Sequence, residues 1–323
     1  MNIGIIGTGA IAAIVTTALA KLETIHVRGV YSRTIEKAEQ FAEKYNLPFY
    51  TNSLDDLCQQ SEIDVIYVAT PHSFHKEHVL IALIHDKHVL CEKPFTINEK
   101  DAQELFDFAI EKKLFLGEAF WTRFNPVFQS LKDIQDQQLI GEFKSVIANI
   151  GGYGLNNDRL IDKNLAGGAL LDIGVYNLNL MFEIFGHEFT EMTTVWNQGA
   201  TGVDYQHTLC FAFANQATAT LHATIQAQTM NGALISGSEG YLTIDHVSEC
   251  NQIDIYTHQH EKIQTVTKHP EMIGYEYEFL QLAACLKQGK TTFDEVPPSF
   301  TQQLLHVTDC IRQDWQLNYS GEA

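Results

Sequence analysis

The chain lacks a C-x-x-C pair, a G-x-S-x-G elbow and an excess of basic residues. Each absence removes a class of function. Its 21 lysines and arginines face 40 aspartates and glutamates, a formal net charge of −19 with histidine neutral. Such a surface repels phosphate backbones and argues against a nucleic-acid partner. No apolar run is expected to reach the roughly 20 residues that span a bilayer, so no membrane partner is expected. The opening MNIGIIGTGA has no basic n-region and no cleavage site, so no signal peptide is expected. The six cysteines are scattered through apolar or helical stretches, as reduced thiols are, and the simplest compartment is the cytoplasm. Without the elbow, Ser/His/Asp hydrolysis has no nucleophile site, and Gly237-Ser238-Glu239-Gly240 reads as a turn before a strand. The spacings His72-x-x-His75-x-x-His78 and His85-x-x-His88 run along helix faces rather than converging with a carboxylate, so no metal is expected.

What is present is a globular composition, 45% hydrophobic and 19% charged over 323 residues. That length suggests two domains. Over residues 1–120, short apolar runs (2–6, 25–31, 64–69, 87–92, 114–120) alternate with helical segments (10–22, 34–45, 73–85, 98–112). This rhythm predicts a doubly wound parallel sheet covered on both faces, the α/β class. From 121 to 323 the rhythm changes. A helix near 125–138, a strand at 143–150 and a Gly-rich stretch with a helix at 167–185 precede strand-like runs up to 257, and two helices (274–288, 299–315) close the chain. HTLCFAF and TATLHATI alternate as half-buried antiparallel strands do, with a hairpin turn at Asn215–Gln216. The second domain is therefore expected to be α+β, with a large, mostly antiparallel open sheet. Such a sheet needs cover, which suggests a homodimer.

The sharpest local feature is Gly7-Thr8-Gly9-Ala10-Ile11-Ala12, a G-x-G-x-x-A turn between a predicted strand and a predicted helix. Gly7 allows the tight turn, Gly9 lets the backbone approach a pyrophosphate, and the helix N-terminus offers free N–H groups. An NAD site carries an acid at the end of the second strand. Here that place reads Tyr31-Ser32-Arg33-Thr34. Ser32 and Arg33 suit a 2′-phosphate, so NADP(H) is the expected cofactor and NAD(H) the lesser one. The alternative is a solvated arginine before a helix. His72 and His75 are expected near the ribose and phosphates.

At the carboxyl end of the strand 87–91 stands Cys91-Glu92-Lys93-Pro94. Ligands of open α/β sheets lie at such strand ends. A lysine there can accept or return a hydroxyl proton as hydride moves. An ordinary strand-end lysine is the alternative. Farther on, Asp172 and Tyr176 are four apart and would share one helix face, which puts a carboxylate beside a phenol. A structural Asp with an amphipathic core Tyr is the alternative there.

Taken in order, Gly7-x-Gly9-x-x-Ala12, Ala69-Thr70-Pro71-His72 with His75, Glu92-Lys93-Pro94, and Gly167-Gly168-Ala169-Leu170-Leu171-Asp172-Ile173-Gly174-Val175-Tyr176 resemble the glucose–fructose oxidoreductase/inositol dehydrogenase (Gfo/Idh/MocA) family. Glu118-Ala119-Phe120-Trp121-Thr122-Arg123-Phe124-Asn125-Pro126 is similar to its dihydrodiol dehydrogenase branch, which also holds NADP-dependent xylose dehydrogenases. The resemblance implies an N-terminal Rossmann domain and a C-terminal substrate domain. It implies Lys93 as the catalytic lysine, Asp172 holding the substrate hydroxyl, Tyr176 as acid/base, and Lys93 and Tyr176 facing each other. It also implies Thr70, Pro71, Glu92, Trp121 and Arg123 beside the cofactor, and a sugar, polyol or dihydrodiol as the small-molecule substrate. A non-catalytic dinucleotide sensor is the alternative from another class, and the presence of Lys93, Asp172 and Tyr176 favours the enzyme.

Overall fold

The computed structural model describes residues 1–320. The chain forms two compact units. One is Met1–Trp121 together with Glu271–Leu305, and the other is Thr122–Pro270 together with the segment from His306.

In the first unit the strands β1 (Asn2–Ile6), β2 (His26–Tyr31), β3 (Phe49–Thr51), β4 (Val65–Val68), β5 (His88–Glu92) and β6 (Leu116–Ala119) alternate with the helices α1 (Ala10–Leu19), α2 (Ile35–Tyr45), α3 (Leu54–Cys58), α4 (His75–Ile84) and α5 (Glu99–Lys112). All pairings are parallel and the order is β3-β2-β1-β4-β5-β6, the doubly wound arrangement expected from the rhythm. Ile3, Ile5, Val65, Tyr67, Val89 and Leu90 are fully buried, as strands covered on both faces require. The helices start and stop on local signals. The Asn98 carboxamide accepts the Asp101 N–H at 2.9 Å at the start of α5, and Lys113 closes it in a left-handed conformation. The elements β3 and α3, three and five residues long, fall below what periodicity can register.

The second unit contains α6 (Pro126–Asp136), β7 (Phe143–Gly151), α7 (Asp158–Ile161), α8 (Val175–Phe185) and seven further strands. These are β8 (Glu191–Gln198), β9 (Asp204–Ala212), β10 (Thr218–Thr224), β11 (Ala233–Gly237), β12 (Gly240–Asp245), β13 (Gln252–Thr257) and β14 (Lys262–Thr267). They form an eight-stranded sheet in the order β14-β13-β12-β11-β7-β10-β9-β8. It is antiparallel throughout except for β7 with β10, so the expected mostly antiparallel sheet is present. One face is buried (Val146, Ala148, Leu209, Phe211, Leu221), while Ile147 and Val195 on the other are 51% and 75% exposed. One helical stretch, Lys163–Phe185, is long and apolar enough by composition to cross a membrane, contrary to the sequence expectation. It is broken into 3₁₀, π and α turns and 83% of its most apolar stretch is buried inside the protein, which marks a core element.

The two C-terminal helices are α9 (Tyr275–Lys287) and α10 (Pro298–Asp314). A division into continuous stretches 1–120 and 121–323 does not describe the packing, because α9 and the first part of α10 return to the first unit. The Leu116 N–H donates to the Thr291 carbonyl at 3.0 Å, and the Phe293 ring packs edge-on against Phe115 at 4.9 Å. Gly117 is required there, since a Cβ would lie 2.7 Å from the Phe293 ring. Phe293→Ala is therefore expected to cost about 3–5 kcal/mol of the first unit's stability. Urea denaturation checks this, and an unchanged midpoint would contradict the assignment of 271–305 to that unit.

Candidate active site

In the doubly wound sheet the chain order reverses between β1 and β4, so their carboxyl ends open the crevice in which ligands of such folds lie. Gly7 adopts φ +116°, and a Cβ there would come within 2.6 Å of the Ala69 carbonyl, so this turn admits only glycine. Gly9 is exposed and extended, with nothing within 4 Å of the place a Cβ would take. It precedes α1, whose first turn has neither a side-chain cap nor an acidic residue. Ala10 is exposed and Ile11 half-buried beside it. This open, uncapped helix N-terminus fits a pyrophosphate.

Beyond β2, Ser32 is buried and its hydroxyl lies 3.3 Å from that of Thr8. Arg33 is exposed, and its guanidinium stands 5.7 Å from the centre of the Phe74 ring. Phe74 stacks on His78, whose Nδ1 is 3.0 Å from the Thr70 hydroxyl. Burial holds the His78 imidazole down at about 4, so the ring is neutral. Phe74 was not singled out from the sequence, although it stands within the Pro71–His75 motif, and His78 was weighed there only as a metal ligand. Pro71 is half-buried and His72 is buried, its ring edge-on to His75 at 5.8 Å.

His75 was expected beside ribose and phosphate, but it is fully buried. Its Nδ1 lies 2.9 Å from the Pro94 carbonyl and its Nε2 2.9 Å from the Thr70 carbonyl, so it braces two strand ends and has no surface left for a cofactor. Burial lowers its pKa. Lys93 is half-buried at the end of β5, and the Lys93–Pro94 peptide is cis. Glu92 points inward and accepts a hydrogen bond from the Tyr67 hydroxyl. Behind it, Glu118 accepts the Phe95 N–H at 3.1 Å and the Thr301 hydroxyl at 2.7 Å, and burial pushes its carboxyl up to about 7. Trp121 stacks on Tyr275 with ring centres 4.5 Å apart.

In the second unit, residues Leu170–Gly174 form a π-helical turn that runs into α8. The α-helical spacing expected between Asp172 and Tyr176 is therefore widened, though the two remain about one turn apart. Both are buried, at 8% and 6% exposure. The Asp172 carboxylate accepts a hydrogen bond from Arg159 on α7 at 2.8 Å. Arg123 is engaged by α8, donating to Asn179 at 2.8 Å and to Glu183 at 2.9 Å. Its guanidinium thus ties the 3₁₀ turn Trp121–Phe124 to α8.

Residues 1–120 match the family model described as oxidoreductase family, NAD-binding Rossmann fold, and residues 128–243 match that of the GFO/IDH/MocA C-terminal domain. The trans-1,2-dihydrobenzene-1,2-diol dehydrogenase of Xenopus tropicalis is 36% identical over 244 residues, 75% of this chain and 74% of that protein. The chain belongs to the Gfo/Idh/MocA family. It is accordingly an oxidoreductase with an NAD(P)-binding Rossmann domain. The Sus scrofa dihydrodiol dehydrogenase is 30% identical over 96% of this chain and 95% of its own. Among solved structures, a 3-ketoreductase from Actinomadura kijaniata in complex with NADP and TDP-benzene is 25% identical, with a TM-score of 0.87 over 97% of each chain. An aldose–aldose oxidoreductase from Caulobacter crescentus shares the fold at 21% identity, with a TM-score of 0.86 over 98% of this chain and 97% of that one.

The raised carboxyl of Glu118 gives a stability signature. An unfolded glutamate ionises near 4.5, whereas the buried one stays protonated to about 7. The folded state therefore loses stability as pH rises through that window, by about 3 kcal/mol. Against wild type, Glu118→Gln is expected to gain that amount between the two limits, whatever constant cost the amide imposes. Denaturation curves at pH 4.5 and 7.5 check this, and a difference that does not change with pH rules it out. Gly7→Ala is expected to weaken dinucleotide binding at least tenfold, read by fluorescence titration, because the added methyl forces the turn open.

Proposed function

We propose that the chain is an NADP(H)-dependent oxidoreductase that interconverts a secondary alcohol and a carbonyl on a sugar, polyol or dihydrodiol. The observation that carries the reading is the pairing of an open glycine turn with Ser32 and Arg33 at the end of β2, where an NAD site would carry an acid. Arg33, stacked over Phe74, presents a planar cation, and Ser32 a hydroxyl, to a 2′-phosphate. The first turn of α1, with Gly7, Thr8, Gly9, Ala10 and Ile11, would hold the pyrophosphate, and Thr70, Pro71 and His72 would flank it. The nicotinamide, when bound, supplies or accepts the hydride.

The protein's own side chains handle the proton and the orientation. Lys93 takes the hydroxyl proton during oxidation and returns it during reduction, with Tyr176 as its acid/base partner. Asp172 accepts a hydrogen bond from the substrate hydroxyl, and Arg159 holds the carboxylate in place. The dihydrodiol dehydrogenases among the relatives and the NADP-bound 3-ketoreductase support this substrate and cofactor class. The scatter of the six cysteines through apolar and helical stretches supports a cytoplasmic setting. The exposed face of the large sheet, with Ile147 and Val195, supports a homodimer.

The test is a panel of aldoses, polyols and dihydrodiols followed by NADPH absorbance. Lys93→Met is expected to lower kcat by about 10²–10⁴ with cofactor affinity largely kept. Near-wild-type turnover would remove Lys93 from the mechanism. Arg33→Ala should cost about 10–100-fold in kcat/KM with NADP(H) and far less with NAD(H). Equal losses with both, or wild-type preference for NAD(H), would refute the 2′-phosphate reading.

A further inference from the structure

The second unit contains a buried acid–base pair for which the reaction as described has no use. Asp204, at the start of β9, is fully buried, and His207 on the same strand is 1% exposed. The His207 Nδ1 lies 3.0 Å from the Asp204 Oδ2. That same oxygen accepts the Leu170 N–H at 2.8 Å, and Leu170 opens the π-helical turn that carries Asp172. Because the carboxylate oxygen can only accept, the imidazole proton is assigned to Nδ1.

The glycines of the signature stretch fit this pair. Gly168 has φ +115°, and a Cβ on it would strike the Asp204 Oδ1. A Cβ on Gly174 would lie 2.9 Å from the His207 ring. The two glycines on either side of Asp172 thus leave room for the carboxylate and the imidazole beneath it. The C-terminal segment closes the arrangement. The Tyr319 hydroxyl donates to the Gly167 carbonyl at 2.6 Å, and the Trp315 ring, stacked on Trp196, stands 5.4 Å from the His207 ring.

Stability alone does not account for the pair. Burial pushes the Asp204 carboxyl up despite its donors, and its Oδ1 has no hydrogen-bond partner among the described residues. Apolar side chains of the same volume commonly fill such a space at no loss of stability. What an apolar pair could not do is hold the Leu170 amide at a fixed point two residues before Asp172.

We infer that Asp204 and His207 are positioning residues, which lock the π-helical turn from beneath so that Asp172 and Tyr176 are presented on rigid backbone. Asp204 holds the Leu170 N–H, and His207 keeps the carboxylate oriented. The inference rests on the reading of Asp172 as the group that orients the substrate hydroxyl.

The experiment is a double-mutant cycle on kcat with the best substrate of the panel, alongside NADPH fluorescence titration. Asp204→Asn is expected to lower kcat about 10–100-fold, while the NADPH dissociation constant moves less than about threefold. Adding Asp172→Asn to that background should cost little more than either change alone, because both remove the same oriented carboxylate. Fully additive losses overturn the inference, since they indicate general destabilisation. Should Asp204→Asn not fold, His207 decides the matter. His207→Asn keeps Asp204 on the Leu170 amide and offers an N–H near the Nδ1 place, so it should retain more turnover than His207→Leu. Equal turnover in these two variants overturns the inference. A loss in Asp172→Asn with none in Asp204→Asn or His207→Leu overturns this inference alone. Unchanged turnover in Asp172→Asn overturns the reading of Asp172 and this inference with it.

Discussion

The first unit depends on how one buried imidazole holds two backbone carbonyls. His75 faces the Thr70 carbonyl beyond β4 and the Pro94 carbonyl beyond β5. Both carbonyls can only accept, and burial disfavours the doubly protonated ring. A neutral ring donates to one carbonyl at a time, so the brace acts by packing and by a single strong bond. Through it, the loop next to the glycine turn and the turn that carries Lys93 keep a common register. Gly7 extends the same register to β1, because its Cα lies flush against the Ala69 carbonyl. Three strand ends are thus tied at their backbone by one imidazole and one glycine.

The second unit reaches a similar end by other means. Its turn is π-helical, with one more residue per hydrogen-bonded ring than an α-helix and correspondingly little intrinsic stability. Such a turn persists when its surroundings over-determine it. Here the Leu170 amide, the Gly167 carbonyl and the Asp172 carboxylate are each held by a side chain from a different element. The glycines are placed where those side chains need space, so their spacing records the shape of the support.

Much of this was legible in the sequence, for local reasons. The strand–turn–helix at 2–19 could be read because an apolar run, two glycines and a helical stretch follow one another within twenty residues. The strands β9 and β10 could be read because their alternation is strict. In β9 that alternation places His207 among the inward positions with Leu209 and Phe211, a signal available in the sequence but not used. By contrast, β14 is mostly exposed and shows no apolar face, so its pattern carries no strand signal. The return of residues 271–305 to the first unit is a long-range contact, Phe293 under Gly117, that no window of sequence contains. The π-helical turn was equally hidden, since Leu170, Leu171 and Val175 fit α-helical spacing as well. Arg123 was placed beside the cofactor by the family resemblance, but its partners Asn179 and Glu183 lie 56 and 60 residues away, and His75 is shared between the Thr70 carbonyl, 5 residues back, and the Pro94 carbonyl, 19 residues on.

The buried carboxyls of the first unit add a further constraint. Glu92, Glu118 and Glu278 are all within the protein interior, and like charges in low dielectric cannot all be ionised together. Hydrogen-bond donors decide where the negative charge is tolerated. Tyr67 donates to Glu92, and Thr301 and the Phe95 amide donate to Glu118, whereas neither oxygen of Glu278 has a hydrogen-bond partner among the described residues. Burial and the neighbouring Glu92 hold Glu278 protonated, well above the usual carboxylate range. Negative charge is thereby withheld from α9. Each additional anion in that interior would raise the cost of ionising its neighbours, so a protonated Glu278 makes room for charge on a carboxyl that has donors.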